Sequence, residues 1–297
     1  MAAASASPWQ ADTLFGHLCW QVVRRDGESA LDDLLTRCRE GEPPVLLSDG
    51  FPAGFLPRPR LGLASTASEA PSKADRVRQY REVKDLQASA WLDEASFGRV
   101  LQGEFVRPDT QPEVATRVVN KNQIDRLTHT AGSEGGQLFD FTEHCWSAVD
   151  VYWRLAEGWA DLVKRFLDDL AVTGYGKRKS VGYGAIDDVE FAPFDGFPPI
   201  DDADGFVSLS RFVPSPDDPT DGRWSTQVKY GKLGEEAAFS DQPFKKPLIQ
   251  LVAGSCFRDR PVRPWYGRLV ENIAADPSVI QYGFALPIPL RWPEGRR

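Results

Sequence analysis

The sequence predicts an α+β fold in two domains, in which a few helices cover antiparallel sheets. The chain has 297 residues, which exceeds the usual size of a single domain. Strand-like segments outnumber helix-like ones, and a proline-rich acidic stretch interrupts the pattern at residues 192–205. Apolar residues make up 41% and charged residues 26%, as in ordinary globular proteins, so disorder of the whole chain is excluded.

The N-terminal region predicts two amphipathic helices. The first covers Thr13 to Arg25, with Asp12 as its N-cap and Gly27 just beyond its end. The second contains Leu31 to Cys38, where apolar residues recur at helical spacing, and it stops at Gly41.

The clearest helix runs from Trp159 to Val172, because its apolar residues recur at i, i+3, i+4, i+7, i+8 and i+11. Gly174 stands where a left-handed residue commonly ends a helix. Shorter helices are predicted at Ala95–Leu101 and Pro264–Ala275.

Strands are predicted where β-branched and aromatic residues lie between turn residues. The predicted strands are Val45–Ser48, Val114–Asn120, Val149–Leu155, Ala185–Phe191, Phe206–Val213, Thr226–Tyr230, Pro247–Val252 and Val279–Pro287. Gly-rich turns after Asn120 predict a second strand there, and the Pro- and Gly-rich segment Ser48–Leu61 predicts a loop.

This alternation is compatible with a pair of ferredoxin-like (RRM-like) domains, in which two helices cover one face of an antiparallel sheet. The expected boundaries are residues 1–191 for the first domain, 192–205 for an acidic linker and 206–297 for the second domain. Periodicity does not choose between the topologies that such elements allow.

The charge pattern indicates one surface that faces an anionic partner. The net charge is -8, which alone argues against nucleic acid. However, the stretch Asp187–Asp204 holds six Asp and one Glu without a basic residue, whereas Lys73–Lys84 carries five basic against two acidic residues and Lys245–Arg268 six against one. Such asymmetry suits a protein with a single basic face, although any one basic run is equally well explained as a solvated surface.

Metal, cofactor and membrane functions receive no support from the sequence. The four cysteines and three histidines lack the paired spacing of a zinc site, so free thiols and no cofactor are expected. A stretch of about 18 apolar residues or a signal peptide is not seen, which predicts a cytoplasmic protein without a membrane partner.

The segment GYGKRKSVGYG, Gly174 to Gly184, is the strongest functional candidate. Four glycines permit positive φ and close approach to the backbone: Gly174, Gly176, Gly182 and Gly184. Inward-turned amides there predict a site for phosphates, and Lys177, Arg178 and Lys179 add cations at its rim.

Other side chains of this loop extend the prediction to single-stranded RNA. Ser180 is expected to donate a hydrogen bond, and Tyr175 and Tyr183 are expected to stack on unpaired bases. A nucleotide-binding P-loop is disfavoured, because there the Gly-Lys-Ser/Thr sequence follows a strand and opens a helix, whereas here a helix precedes the loop. A purely structural glycine turn remains the alternative.

At this loop, after its amphipathic helix, the sequence resembles the RAMP superfamily of CRISPR-associated proteins. Four further segments, in matching order, resemble the family of fourth subunits of the type III-A Csm complex. They are ADTLFGHL at Ala11–Leu18, SDGFPAGFLPRP at Ser48–Pro59, NQIDRLTHTAGSEGGQLF at Asn122–Phe139 and AGSCFRD at Ala253–Asp259. Together with the loop, these segments span almost the whole chain.

The resemblance implies a Cas5-like subunit for antiviral defence that is not itself a nuclease. Such a subunit caps one end of a crRNA-guided complex, clasps the repeat-derived 5′ handle, and contacts the large polymerase-like subunit and the backbone RAMP subunit. The matching segments assign RNA binding to Gly174–Gly184, to Arg58 of LPRP and to Arg126 of IDR. Lys84 and Arg117 are added on their charge alone.

Two alternative functions stay open. A metal-independent RAMP endoribonuclease that processes CRISPR repeat RNA would use His17 as its acid or base, although a lone His on an apolar helix is more often a packed residue. A structural adaptor would contact proteins only. The family resemblance further implies a strand before Asp12, so the first strand of the N-terminal domain is expected to be absent or the chain to start late.

Overall fold

The computed structural model describes residues 4–61, 90–108, 110–122, 138–234 and 241–293. Within these ranges the fold is mixed α/β, with four α-helices and strand pairs that are all antiparallel. None of the described helices is long and apolar enough to cross a bilayer. The α+β class predicted from the sequence is therefore observed.

Two helices follow a short strand, β1 (Ala4–Ser5). Helix α1 spans Ala11–Asp26 and helix α2 spans Glu28–Arg39, and Gly27 separates them with a φ of 88°. Both helices were predicted, but the predicted N-cap is wrong. Gln10 holds that position, whereas Asp12 lies in the first turn of α1 and is buried.

Short strand pairs follow the two helices. The pairs are β2 (Val45–Leu47) with β9 (Trp153–Leu155), β3 (Phe51–Pro52) with β8 (Val149–Asp150), and β4 (Phe55–Pro57) with β5 (Trp91–Asp93). The loop predicted at Ser48–Leu61 is thus partly wrong, because Gly54, with a φ of 77°, turns the chain between two strands. Proline, which cannot donate a hydrogen bond to a neighbouring strand, occupies the last position of each of these two strands.

A hairpin and two further helices complete the first part of the chain. Helix α3 (Glu94–Leu101) is capped by Asp93, whose side chain accepts a 2.8 Å hydrogen bond from Ser96 N. Strands β6 (Ala115–Asn122) and β7 (Leu138–Cys145) pair as predicted, and β1 extends their sheet in the order β1-β7-β6. Helix α4 (Ala160–Thr173) ends at Gly174, which has a φ of 75°.

The strand predicted at Ala185–Phe191 is wrong. Residues 185–204, all described, form no regular element. Ile186 and Phe191 pack against the core from this irregular segment, while Asp187 and Asp188 remain exposed. The pattern resembles a strand because Ile186 and Phe191 face the core, but none of the described strands pairs with this segment.

The C-terminal part contains a four-stranded sheet and two strand pairs. The sheet has the order β11-β14-β10-β17, from β10 (Gly205–Ser208), β11 (Gly222–Arg223), β14 (Cys256–Arg258) and β17 (Pro287–Leu290). The pairs are β12 (Thr226–Lys229) with β13 (Leu248–Leu251) and β15 (Tyr266–Gly267) with β16 (Phe284–Ala285). The helix predicted at Pro264–Ala275 is wrong, because Gly267 adopts a φ of 83° in a strand there.

One hydrophobic core joins the two parts of the chain. Buried residues before residue 192 and after residue 205 belong to the same cluster, in which the Phe15 and Tyr282 rings stack with centroids 4.5 Å apart. Phe197 and Ile200 of the acidic segment also pack against it. The segment 192–205 therefore lies along the shared core, and the predicted domain boundaries remain a prediction.

A buried polar network ties α1 to the C-terminal part. The Asp12 carboxylate accepts hydrogen bonds from Lys229 Nζ, from Gln281 Nε2 and, at 2.9 Å, from Gln250 Nε2. Burial acts to raise the pKa of Asp12, but Lys229 and Gln250 outweigh it, so this pKa lies below its ordinary value of 3.8. The charged form is thus favoured, and its contribution to stability is lost only as the pH falls through the lowered pKa.

A second buried carboxylate lies beside this network. Asp49 accepts hydrogen bonds from Ala11 N at 2.9 Å and from Arg211 Nε at 3.0 Å. Burial raises the pKa of Asp49, although Arg211 opposes this effect. Asp49 therefore fixes the first residue of α1 against a residue of the C-terminal part.

Replacing Asp12 should destabilise the whole fold. We expect Asp12→Ala to lower the free energy of unfolding by about 3 kcal/mol, because the Lys229 ammonium would be left without its buried counter-ion. Urea unfolding followed by circular dichroism measures this change. Glu271→Ala, which removes an exposed 2.9 Å ion pair with Arg39, is the matched control and should cost less than about 1 kcal/mol. Equal losses for the two variants would contradict the role assigned to Asp12.

Candidate nucleic-acid interface

The glycine-rich loop, residues 174–184, is anchored by Tyr175. This ring is 0% exposed and stacks on Trp9 with centroids 3.9 Å apart and planes 7° from parallel. Its hydroxyl accepts a 3.0 Å hydrogen bond from Gln10 N and donates a 2.8 Å hydrogen bond to the Pro8 carbonyl. Burial raises the pKa of Tyr175. The predicted stacking of Tyr175 on an RNA base is therefore wrong, because the ring is enclosed by the protein.

Most backbone amides of the loop bond within the protein. Tyr175 N donates to the Gly184 carbonyl at 2.8 Å, and Gly184 N donates to the Ala4 carbonyl at 2.9 Å. Lys177 N donates to Ser7 Oγ at 3.0 Å. A nest of amides at these positions, which the sequence predicted as the phosphate site, is thus not formed. Tyr175 N closes the loop on itself instead, and the other two donors hold it to Ala4 and Ser7.

The four loop glycines all have positive φ, as predicted. Because glycine has no side chain, other parts of the chain can pack closely against the backbone at these positions. A Cβ on Gly184 would overlap the Tyr175 carbonyl, and a Cβ on Gly174 would lie 2.9 Å from the Gly184 carbonyl oxygen. At Gly176 it would lie 2.8 Å from Ser7 Cβ, whereas at Gly182 the space is open. Glycine is therefore required mainly to close the loop.

The basic residues form the outer rim of the loop. Lys177 and Arg178 are exposed and Lys179 is half-buried. Arg178 adopts a left-handed φ of 64°, which is uncommon for a residue other than glycine. Its guanidinium carbon lies 4.3 Å from the centroid of Phe141. The Ser180 side chain lies outside the described part of the chain.

The β6–β7 hairpin presents one of its faces to this rim. Because side chains alternate along a strand, the paired residues Arg117 and Glu143, Val119 and Phe141, and Lys121 and Phe139 share that face. Lys121 Nζ lies 5.2 Å from the Phe141 ring centroid and 5.3 Å from that of Tyr183. The Tyr183 ring meets Phe141 edge-on with centroids 5.4 Å apart.

Glu143 joins the loop to the hairpin. Its carboxylate, in a residue only 1% exposed, accepts hydrogen bonds from the Tyr183 hydroxyl and from Arg117 Nε. Tyr183 and Arg117 together hold the pKa of Glu143 below its ordinary value, and the same carboxylate raises the pKa of Tyr183. Arg117 keeps 68% of its side chain exposed. Its guanidinium is thus fixed at Nε while most of the side chain still faces solvent.

These residues form a surface that we call the loop–hairpin platform. Its members are Arg117, Lys121, Phe139, Phe141, Lys177, Arg178 and Tyr183. Of these, Lys121, Phe139 and Phe141, together with the supporting Glu143, were not predicted as site residues. A search for period-two patterning along the two hairpin strands would have grouped them with Arg117.

The remaining predicted site residues are not members of the platform, or they lie outside the part of the chain that the structure describes. Arg58 lies next to β4, where its Nη2 donates to the Val106 carbonyl at 3.3 Å and its backbone adjoins Gly254. Lys84 and Arg126 lie outside the described residues. Their proposed roles remain predictions.

The chemistry of the platform suits an anionic, unpaired polymer. Clustered Lys and Arg attract phosphates, and unpaired bases stack on aromatic rings.

The four cysteines are free thiols. Among the described residues, no group of three or more His, Cys, Asp or Glu side chains is placed to hold a metal ion.

Comparison with solved structures defines the class of protein that has this fold. The chain is similar to a chain in the crystal structure of a Csm1-Csm4 cassette in complex with cA4, with a TM-score of 0.61, 20% identity and coverage of 98% of this chain and 95% of that one. It is also similar to a chain in the Csm3-Csm4 subcomplex of the type III-A CRISPR-Cas interference complex, with a TM-score of 0.60, 12% identity and coverage of 98% and 96%. The fold is thus one found in type III-A CRISPR-Cas assemblies.

Curated relatives narrow this class. The chain is 24% identical over 293 residues to the CRISPR system Cms protein Csm4 of Mycobacterium tuberculosis, in the strains CDC 1551 and H37Rv, covering 96% of this chain and 90% of the relative. No family model matches the sequence. The resemblance to the fourth subunit of the type III-A Csm complex, found in the sequence motifs, is confirmed by these relatives.

Gly184 and Gly182, the loop glycines with the least and the most space for a Cβ atom, provide a test of stability. We expect Gly184→Ala to unfold at a clearly lower temperature than Gly182→Ala, because its Cβ would overlap the Tyr175 carbonyl. Gly182→Ala, with open space and a φ of 89°, should show only the left-handed backbone cost of about 1 to 2 kcal/mol. Thermal unfolding of the two variants checks this order. Identical melting temperatures would argue against the tight closure described above.

Proposed function

We propose that this protein is a non-catalytic RNA-binding subunit of a type III CRISPR-Cas effector complex, which caps the complex and holds the 5′ handle of the crRNA for antiviral defence. The observation that supports this most is the loop–hairpin platform, where Lys121 and Arg178 lie against aromatic rings, of which Phe139 is exposed. Arg117 and Lys177 add two further exposed cations to the same platform. The similarity of nearly the whole chain to Csm4 supports the same role.

The proposal extends to fold and partners. We infer two ferredoxin-like RAMP domains, at residues 1–191 and 206–297, joined by the acidic segment 192–205 along their common core. Solved relatives occur in a cassette with Csm1 and in a subcomplex with Csm3. Corresponding partners of this chain would be the large polymerase-like subunit and the backbone RAMP subunit.

The anchored backbone of the loop is suited to holding cations in place for contacts with RNA phosphates. Tyr175 and residues 4–10 hold the loop, so Lys177 and Arg178 project from a fixed base. Prior ordering of the loop reduces the entropy cost of binding. Each phosphate that is neutralised releases counterions, which makes the affinity fall with salt.

The basic rim should control both affinity and its salt dependence. We expect the combined change of Lys177, Arg178 and Lys179 to Ala to weaken binding of repeat-handle RNA and to reduce the slope of log K against log salt by roughly 2 units, since each single-stranded phosphate contact contributes about 0.7. Fluorescence anisotropy over a salt series measures both quantities.

A charge-matched variant controls for the loss of net charge. Changing the exposed residues Arg39, Lys164 and Arg165 to Ala removes the same number of cations from α2 and α4. This control should leave the salt slope nearly unchanged. Unchanged affinity of the loop variant would favour a structural adaptor that contacts proteins only, whereas equal losses for the two triple variants would indicate a general effect of net charge.

The endoribonuclease alternative depends on His17. In the structure, His17 Nε2 accepts a 3.4 Å hydrogen bond from Gly176 N, and its ring lies 5.6 Å from that of Tyr175. This nitrogen therefore helps to hold the loop, which supports a structural role.

Repeat RNA should remain intact when it is incubated with the purified protein in EDTA. Denaturing gels report cleavage, and the same gels with His17→Ala identify its origin. Cleavage that disappears in His17→Ala would contradict the non-catalytic proposal. We expect His17→Ala instead to loosen the loop, seen as faster hydrogen exchange of its amides.

A further inference from the structure

We propose that the junction between loop and hairpin holds one unpaired nucleobase of the bound RNA, stacked against the Phe139 ring and the Arg178 guanidinium. This inference rests on the proposed function, and it assigns a site for a base in addition to the phosphate contacts. The sequence indicated base stacking on Tyr175 and Tyr183 of the loop. The Tyr175 ring is buried, and the inferred base site lies instead on strand β7 of the hairpin.

The accessible ring of this junction is Phe139. It is 40% exposed on the platform face of β7, beside its cross-strand partner Lys121. Phe141, two residues further along the same face, is half-buried and contacts the Arg178 guanidinium. A single exposed aromatic residue is unremarkable by itself; here it adjoins two cations and a second ring.

Arg178 supplies a second flat surface. Its guanidinium carbon lies 5.4 Å from the Phe139 centroid as well as 4.3 Å from that of Phe141. A planar guanidinium stacks on aromatic rings through its face and donates hydrogen bonds along its edge. Arg178 can therefore contact a base and an adjacent phosphate together. Its left-handed φ of 64° is a backbone strain of the kind that clusters at ligand sites.

The geometry favours an unpaired base over a duplex. Bases in a double helix have their faces covered by neighbouring pairs, whereas single strands can turn a base outward onto an aromatic or Arg plane. Lys121, on the neighbouring strand, places a cation beside Phe139 for the phosphate that follows the base. Stacking of this kind tolerates any base and is strongest with large ring systems, so adenine should bind better than uracil.

Two anionic probes separate base contacts from phosphate contacts. The full-length protein is titrated with oligoadenylate RNA of roughly eight nucleotides and with inorganic polyphosphate, which carries the charge but no bases. We expect Phe139→Leu to lower the affinity for oligoadenylate about tenfold and to leave polyphosphate binding unchanged. Phe139→Tyr should keep the affinity. Arg178→Lys, which retains the charge but loses the plane, should reduce oligoadenylate binding more than polyphosphate binding.

The control is Leu138→Ala, because Leu138 is 68% exposed and points to the opposite face of the hairpin. It should change neither affinity. Two results for Phe139→Leu would overturn the base site while leaving the RNA-binding proposal intact: an equal loss of affinity for both probes, or an affinity for oligoadenylate equal to that of the wild-type protein. If the wild-type protein bound neither oligoadenylate nor polyphosphate, both the base site and the RNA-binding proposal would be overturned.

Discussion

Burial of one tyrosine is the constraint on which the rest of the site depends. Tyr175 is enclosed by Trp9 on one face and bonded through its hydroxyl to Pro8 and Gln10. A phenol that finds partners for its hydroxyl can be buried at little cost and contributes a large apolar area. The loop is thereby fixed immediately after α4, so its charged residues are presented from an ordered backbone.

Glu143 extends this order to the hairpin. A buried carboxylate is unfavourable unless its charge is compensated, and here Arg117 and Tyr183 both donate to it. The charge of the acidic residue is thus compensated, while the carboxylate fixes two groups that belong to different segments of the chain. Loop and hairpin consequently act as one surface.

The sequence predicted the parts of this surface that local pattern determines. The helix before the loop, the positive φ of its glycines and the β6–β7 hairpin follow from periodicity and residue type, and each is observed. It did not predict which tyrosine is buried, because that depends on Trp9, which is distant in sequence. Helix propensity at Pro264–Ala275 was likewise overridden by strand pairing between Tyr266 and Ala285. The role of Asp12 as a buried counter-ion depends on Lys229, which local sequence around either residue does not reveal.

The attachment of residues 4–10 to the loop also bears on the order of folding. Gln10 and Tyr175 are 165 positions apart, and Ser7 and Lys177 are 170 positions apart. Contacts at such separation carry a large loop-closure entropy and form late. During synthesis, residues 4–10 must therefore wait for the segment after α4 before they reach their native positions. Completion of the loop–hairpin platform is thus tied to synthesis of the chain as far as Gly184.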